Sequence, residues 1–127
     1  MSAIQVNAAE RFDEVALSTE ILDGRVSPLH TIYTCPSCRE KVSFSRVDFE
    51  SRGRRETSNL TAEHSAIIAA LAQTSGVGAD EYLDWYCPKC RLPARAYFRR
   101  WAGGRHGDSG VNIITVVELS LSQINVL

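Results

Sequence analysis

Hydrophobic and polar positions along the chain switch between two periods. From residue 29 to 34 the side chains alternate, with Leu29, Thr31 and Tyr33 on one side and His30, Ile32 and Thr34 on the other. A period of two predicts a strand. Val42–Phe49 reads as a second strand, in which Val47 and Phe49 fall one residue out of phase with Val42 and Phe44, so a bulge is expected near Arg46. Leu60, His64, Ile67, Ile68 and Leu71 recur at helical spacing and predict a helix over Thr61–Thr74 that stops before Gly76. Alternation returns in Glu81–Tyr86, where Leu83 and Trp85 oppose Tyr82, Asp84 and Tyr86, and continues in Ala94–Trp101 and Val111–Leu121. Near the N-terminus Asn7 and Glu10 have the spacing of a capping box, and Phe12, Val15 and Ala16 share a face. A short helix over Ala8–Leu17 is therefore expected.

The segments between these elements carry turn chemistry. Asp23-Gly24 and Ser27-Pro28 punctuate the N-terminal part. Glu50–Ser58 is polar and Arg-rich and predicts a loop. Gly76–Ala79 is a connection, and Ala102–Gly110, with four glycines, suits a wide hairpin loop.

The length of 127 residues sets one domain, residues 1–127, large enough to bury a core. With 44% hydrophobic and 23% charged residues the composition is that of an ordinary water-soluble protein. No apolar run approaches a membrane span, and no charged, apolar and small-residue succession opens the chain as a signal peptide would. The expectation is a cytoplasmic protein with no membrane association. In a reducing compartment, four cysteines point to metal ligation before disulfides.

Those cysteines fall in two matching motifs, Tyr33-Thr34-Cys35-Pro36-Ser37-Cys38-Arg39 and Trp85-Tyr86-Cys87-Pro88-Lys89-Cys90-Arg91. A two-residue spacer lets both sulfurs of a turn face one ion, and the proline stiffens the turn. Two such turns supply four soft donors, Cys35, Cys38, Cys87 and Cys90, which close a tetrahedral sphere around one structural Zn²⁺ and leave no position for a catalytic water. Arg39, Lys89 and Arg91 stand beside the turns and offset the charge of −2 that four thiolates leave on Zn²⁺. Thiol–disulfide chemistry is the competing use of Cys-Pro-x-Cys. There the motif opens a helix, whereas here both turns are followed by expected strands. The pattern over about Leu29–Phe49 and Glu81–Leu121 resembles the zinc-ribbon class, which pairs two Cys-Pro-x-Cys knuckles on β-hairpins. The resemblance implies two knuckle hairpins, and with the helices read above the expected fold is an α+β, β-rich zinc-ribbon-like domain with an inserted helix and an N-terminal helix. It implies no particular task.

Charge alternates in blocks. Residues 1–30 carry −3, residues 31–60 +2, residues 61–86 −4 and residues 87–110 +5, within a net charge of −1. A dedicated nucleic-acid binder shows a larger basic excess. Arg95, Tyr97, Arg99, Arg100 and Trp101 nevertheless interleave cations and rings on one strand, and Arg105, His106 and Asp108 follow in the glycine-rich segment. Arg95, Tyr97, Arg99, Arg100, Arg105, His106 and Asp108 form the candidate partner-binding set. The same arginines can instead pair with Asp80, Glu81 and Asp84 in the adjoining strand. His106 and Asp108, two apart on a flexible segment, do not form a catalytic dyad. His30 and His64 read as hydrogen-bonded, half-core residues, and Arg52, Arg54 and Arg55 as a solvated loop cluster. The functional expectation is a non-enzymatic, zinc-stapled module that binds another protein, such as an adaptor, regulator or toxin-neutralising immunity-type protein. A nucleic-acid-binding ribbon is the alternative, and thiol-redox activity ranks last.

Overall fold

The computed structural model describes residues 2–18, 21–22, 25–26, 29–52, 59–79, 81–102 and 109–119. They form an α+β, mostly antiparallel fold. Its chain order is β1 (Ala3–Asn7), a 3-10 turn (Ala8–Glu10), β2 (Ala16–Ser18), β3 (Ile21–Leu22), β4 (Arg25–Val26), β5 (His30–Thr34), β6 (Lys41–Ser45), α1 (Arg46–Arg52), α2 (Ala62–Thr74), β7 (Glu81–Tyr86), β8 (Pro93–Ala102) and β9 (Ser109–Leu119). The main sheet has five strands. Its path runs β1-β9-β8-β7, and β2 joins β9 further along. β5 pairs with β6, and β3 with β4, as separate hairpins.

The N-terminal expectation is corrected. The capping box is present, since Asn7 accepts from Ala9 N–H and Glu10 accepts from Asn7 N–H, each at 3.0 Å. The helix it opens lasts only the 3-10 turn. Either side of it, β1 and β2 extend along β9, with Ala3–Asn7 opposite Leu119–Thr115 and Ala16–Ser18 opposite Asn112–Gly110. Sheet hydrogen bonds win because a lone turn of helix satisfies few of its own donors.

A second correction concerns residues 46–52. β6 stops at Ser45, and Val47 and Phe49 sit on α1 rather than on a bulged strand, as do Glu50–Arg52 from the expected loop. The cause is local. Ser45 N–H donates to Asp48 Oδ2 at 2.8 Å, and Asp48 N–H donates to Ser45 Oγ at 3.2 Å, a reciprocal cap. Phe44 before the cap packs against Phe49 inside the helix at 6.0 Å between ring centroids, as a hydrophobic staple does. An Arg46–Glu50 ion pair at 2.8 Å adds an i,i+4 contact.

The middle of the sheet is covered on both faces, so β8 from residue 93 to 98 and most of β9 bury both sets of alternating side chains, whereas the edge strand β1 has none buried. On one face lie the β5–β6 hairpin, α1 and the link between β1 and β2 that carries Ala8 and Phe12. Their interior is a cluster of six rings, each from a different segment: Phe12, Tyr33 of β5, Phe44 of β6, Phe49 of α1, Trp85 of β7 and Phe98 of β8. Tyr33 and Trp85 meet edge to face at 4.8 Å, a geometry that adds to area burial. On the other face α2 packs Ile68 and Ala72 against Tyr97, Val117 and Leu119. Thr61 caps α2 by accepting from His64 N–H, so the expected helix stands with Thr61 as its cap. Between β8 and β9 the register shifts by one residue after Tyr97, which turns Ile113 and Val116 to the same aromatic face. Gly110 belongs to β9 rather than to a loop. It stands opposite Trp101, and a Cβ on it would come within 2.5 Å of the indole. Residues 103–108, 53–58 and 80 lie outside the described residues.

Candidate metal centre

Both cysteine motifs fold into the same turn. In the first, Cys35 N–H donates to Glu40 O at 2.9 Å and Arg39 N–H donates to Cys35 O at 3.0 Å. In the second, Cys87 N–H donates to Leu92 O and Arg91 N–H to Cys87 O, both at 2.9 Å. The residue after the second cysteine is left-handed in each, at φ 66° for Arg39 and 67° for Arg91. Each turn joins two paired strands, β5 to β6 and β7 to β8. The two hairpins thus present equivalent loops, one from the outer layer and one from the main sheet.

The four thiols are free, and their sulfurs all lie within 4.8 Å of one another. Across the hairpins Cys35 Sγ is 3.6 Å from Cys90 Sγ, and Cys38 Sγ is 3.5 Å from Cys87 Sγ. A disulfide bond is about 2.05 Å long, so these are contacts between separate sulfurs. Cys35 and Cys87 are fully buried, Cys38 and Cys90 half-buried. Burial pushes the Cys35 thiol up to about 12 against backbone N–H groups of Cys38 and Ser37 aimed at its sulfur. At Cys87 burial also raises the value, but the N–H groups of Cys90 and Lys89, with the neighbouring thiols, prevail and bring it down to about 7. Four sulfurs converging on one point, with N–H donors behind them, can hold a single metal ion.

Behind the first knuckle lies a buried polar network that the strand pattern did not disclose. Glu118 of β9 is fully buried. Its carboxylate accepts from Arg11 Nε at 2.9 and 3.1 Å and from the Tyr33 hydroxyl. Burial, and then the adjacent Glu118 charge, push the Tyr33 phenol far above its ordinary value, so it remains a donor. The network ties the N-terminal segment, β5 and β9 together two residues from Cys35. A signal existed in the sequence, because Glu118 is an acid inside the apolar run of Val111–Leu121 and a buried acid demands partners.

A second network ties α2 to the sheet beside the second knuckle. Arg95 donates from Nε and Nη2 to the two Asp84 oxygens at 2.7 and 3.0 Å, and from Nη2 to Ser65 Oγ at 2.8 Å. Its guanidinium lies 3.8 Å from the Tyr82 ring centroid. Tyr86, next to Cys87, accepts from Thr61 N–H at 3.0 Å and meets His64 Nδ1 at 2.8 Å. The half-core role of His64 holds; His30 is exposed instead, on the outward side of β5.

The expected partner-binding set is not one surface. Arg95 is 2% exposed and Tyr97 6%, so neither is open to a partner. They are corrected to interior residues, because Asp84 stands directly opposite Arg95 and α2 covers both. Arg99 and Arg100 are exposed. Arg99 donates to Gly78 O at 3.2 Å, and Arg100 pairs with Glu81 at 2.6 Å. Arg105, His106 and Asp108 lie outside the described residues. No helix among the described residues is long and apolar enough to cross a membrane. No known protein-family model matches this chain, and neither a curated protein nor a solved structure matches it.

Proposed function

We propose that the chain is a non-enzymatic protein-binding module stapled by one structural Zn²⁺. The carrying observation is the pair of equal knuckles that bring four thiols together. Sulfurs placed tetrahedrally at the usual zinc–sulfur bond length of about 2.3 Å stand about 3.8 Å apart. The cross-hairpin separations of 3.5 and 3.6 Å suit that cage. Four thiolates fill the sphere, so the ion staples rather than catalyses. Among the described residues, Glu118 is engaged internally with Arg11 and Tyr33, and Asp84 with Arg95. This leaves surface recognition as the favoured task. Leu29, Ile32 and Val47 expose apolar area on the first hairpin and α1. The nucleic-acid reading loses its stacking strand, since Tyr97 and Arg95 face α2.

Elemental analysis and native mass spectrometry test the metal. One zinc per chain is expected, with chelation unfolding the knuckles. A folded protein without metal and with four titratable thiols would sink the reading. The binding half is tested by capture of a protein partner, whose complex charge reversal on the face it uses should weaken at unchanged zinc content.

A further inference from the structure

The two left-handed positions in the knuckles carry arginine. That conformation is unstrained for glycine and costly for a residue with a Cβ. Strain kept at two equivalent positions, both exposed, calls for a reason in what the side chains do. Arg39 and Arg91 directly follow Cys38 and Cys90, whose sulfurs lie within 4.8 Å of each other, so both leave the same end of the molecule. Lys41 and Lys89 are exposed beside them, and Glu40 is the one acid among residues 35–41 and 87–92. Four cations against one acid give this metal pole +3 in a chain of net charge −1, so the remainder carries −4. A four-thiolate Zn²⁺ brings −2 to the pole and still leaves it positive. Neutralising the centre therefore accounts for only two of the four cations.

We infer that the metal pole is an interaction surface, and that it takes a short acidic segment of a partner protein, with Arg39 and Arg91 pairing its carboxylates. The inference rests on the protein-binding reading above and supplies its face and the partner's chemistry. A guanidinium fork fits a carboxylate with two parallel hydrogen bonds. An extended nucleic acid suits the pole less well. It would run past the pole onto a remainder of net negative charge. Among the described residues no exposed ring stands there to stack a base: the Tyr86 ring is half-buried, with the Arg91 guanidinium carbon 4.7 Å from its centroid.

The test uses the full, zinc-loaded chain and a fluorescein-labelled polyglutamate peptide in fluorescence anisotropy at low salt. The double variant Arg39→Gly with Arg91→Gly removes both cations and relieves the strain, so it is expected to stay folded and to keep its zinc. It should weaken peptide binding about tenfold or more, a loss that added salt reproduces in the wild type. Arg99→Glu, on β8, should leave peptide binding within about twofold of the wild type. No binding of the peptide by the wild-type protein overturns the inference. So does tighter binding of a DNA duplex than of the peptide. Loss of binding with Arg99→Glu but not with the glycine variant also overturns it, while leaving the protein-binding reading intact, since the face would then be the β8 end.

Discussion

Arg39→Gly should make the protein more stable, and by more than Arg91→Gly does. Both residues are held at nearly the same positive φ, 66° and 67°. A residue with a Cβ pays about 1–2 kcal/mol for that conformation. Glycine returns part of the gain through the greater freedom of its unfolded chain, about 0.4–1 kcal/mol. The net for Arg39 is a stabilisation of about 0.5–1 kcal/mol. Arg91 has a contact that offsets this gain, its guanidinium carbon lying 4.7 Å from the Tyr86 ring centroid. An exposed cation–π contact is worth about 0.5–1 kcal/mol, so Arg91→Gly should come out near zero. Each variant also removes one cation beside the thiolates, a loss common to both that cancels in the comparison. Urea unfolding followed by tryptophan fluorescence, at one fixed free-zinc concentration, measures the difference. For a domain of this size Arg39→Gly should raise the melting temperature by about 2–4 °C. Destabilisation by Arg39→Gly, or a larger gain from Arg91→Gly, would refute the assignment of strain to these positions.

Asp84→Ala should cost about 3–5 kcal/mol, because it strands the Arg95 guanidinium inside the α2–sheet interface. The paired change Asp84→Leu with Arg95→Met should cost less than that single substitution, and a single-variant cost below about 1 kcal/mol in the same unfolding assay would mean the pair is solvated. Gly110→Ala should destabilise by about 1–3 kcal/mol, since its Cβ would meet Trp101 at 2.5 Å; an unchanged unfolding midpoint would contradict the packing. Asp13 accepts from Ile32 N–H at 2.8 Å, and that bond, against a small burial effect and helped by Thr31, lowers its carboxyl below the ordinary value. With the folded value depressed, its stabilisation is present above the unfolded value of about 3.9 and is lost as pH falls through the folded one. Asp13→Asn should therefore flatten the acid limb of the stability profile, and an unchanged limb would remove Asp13 from it.

Much of the metal centre was legible in sequence because its determinants are local. A Cys-Pro-x-Cys turn contains its own sulfurs, stiffening proline and N–H donors, and two copies admit one common ion. The α2 helix was legible for the same reason, through the apolar stripe of Leu60, His64, Ile67, Ile68 and Leu71. The helix at Arg46–Arg52 was written in the sequence too. Ser45, Asp48, Phe44 and Phe49 are spaced as a cap with a staple, but the strand period of the residues before them masked it.

Other features depended on partners far along the chain. Nothing within Ala8–Leu17 states that β9 will pair with both of its flanks, a contact made across about a hundred residues. Periodicity separates two faces of a strand but does not tell which face remains open, and here α2 closes the one that carries Arg95 and Tyr97. The same arginine spacing was compatible with a binding stripe and with internal ion pairs. The direct opposition of Asp84 and Arg95 in the β7–β8 register decided for the pair at that position. Local spacing thus determined the four-sulfur turns and the main helix. Only the tertiary structure decided which charges are interior and that the four sulfurs of the two turns meet within 4.8 Å, because burial and juxtaposition belong to packing between distant segments rather than to any one of them.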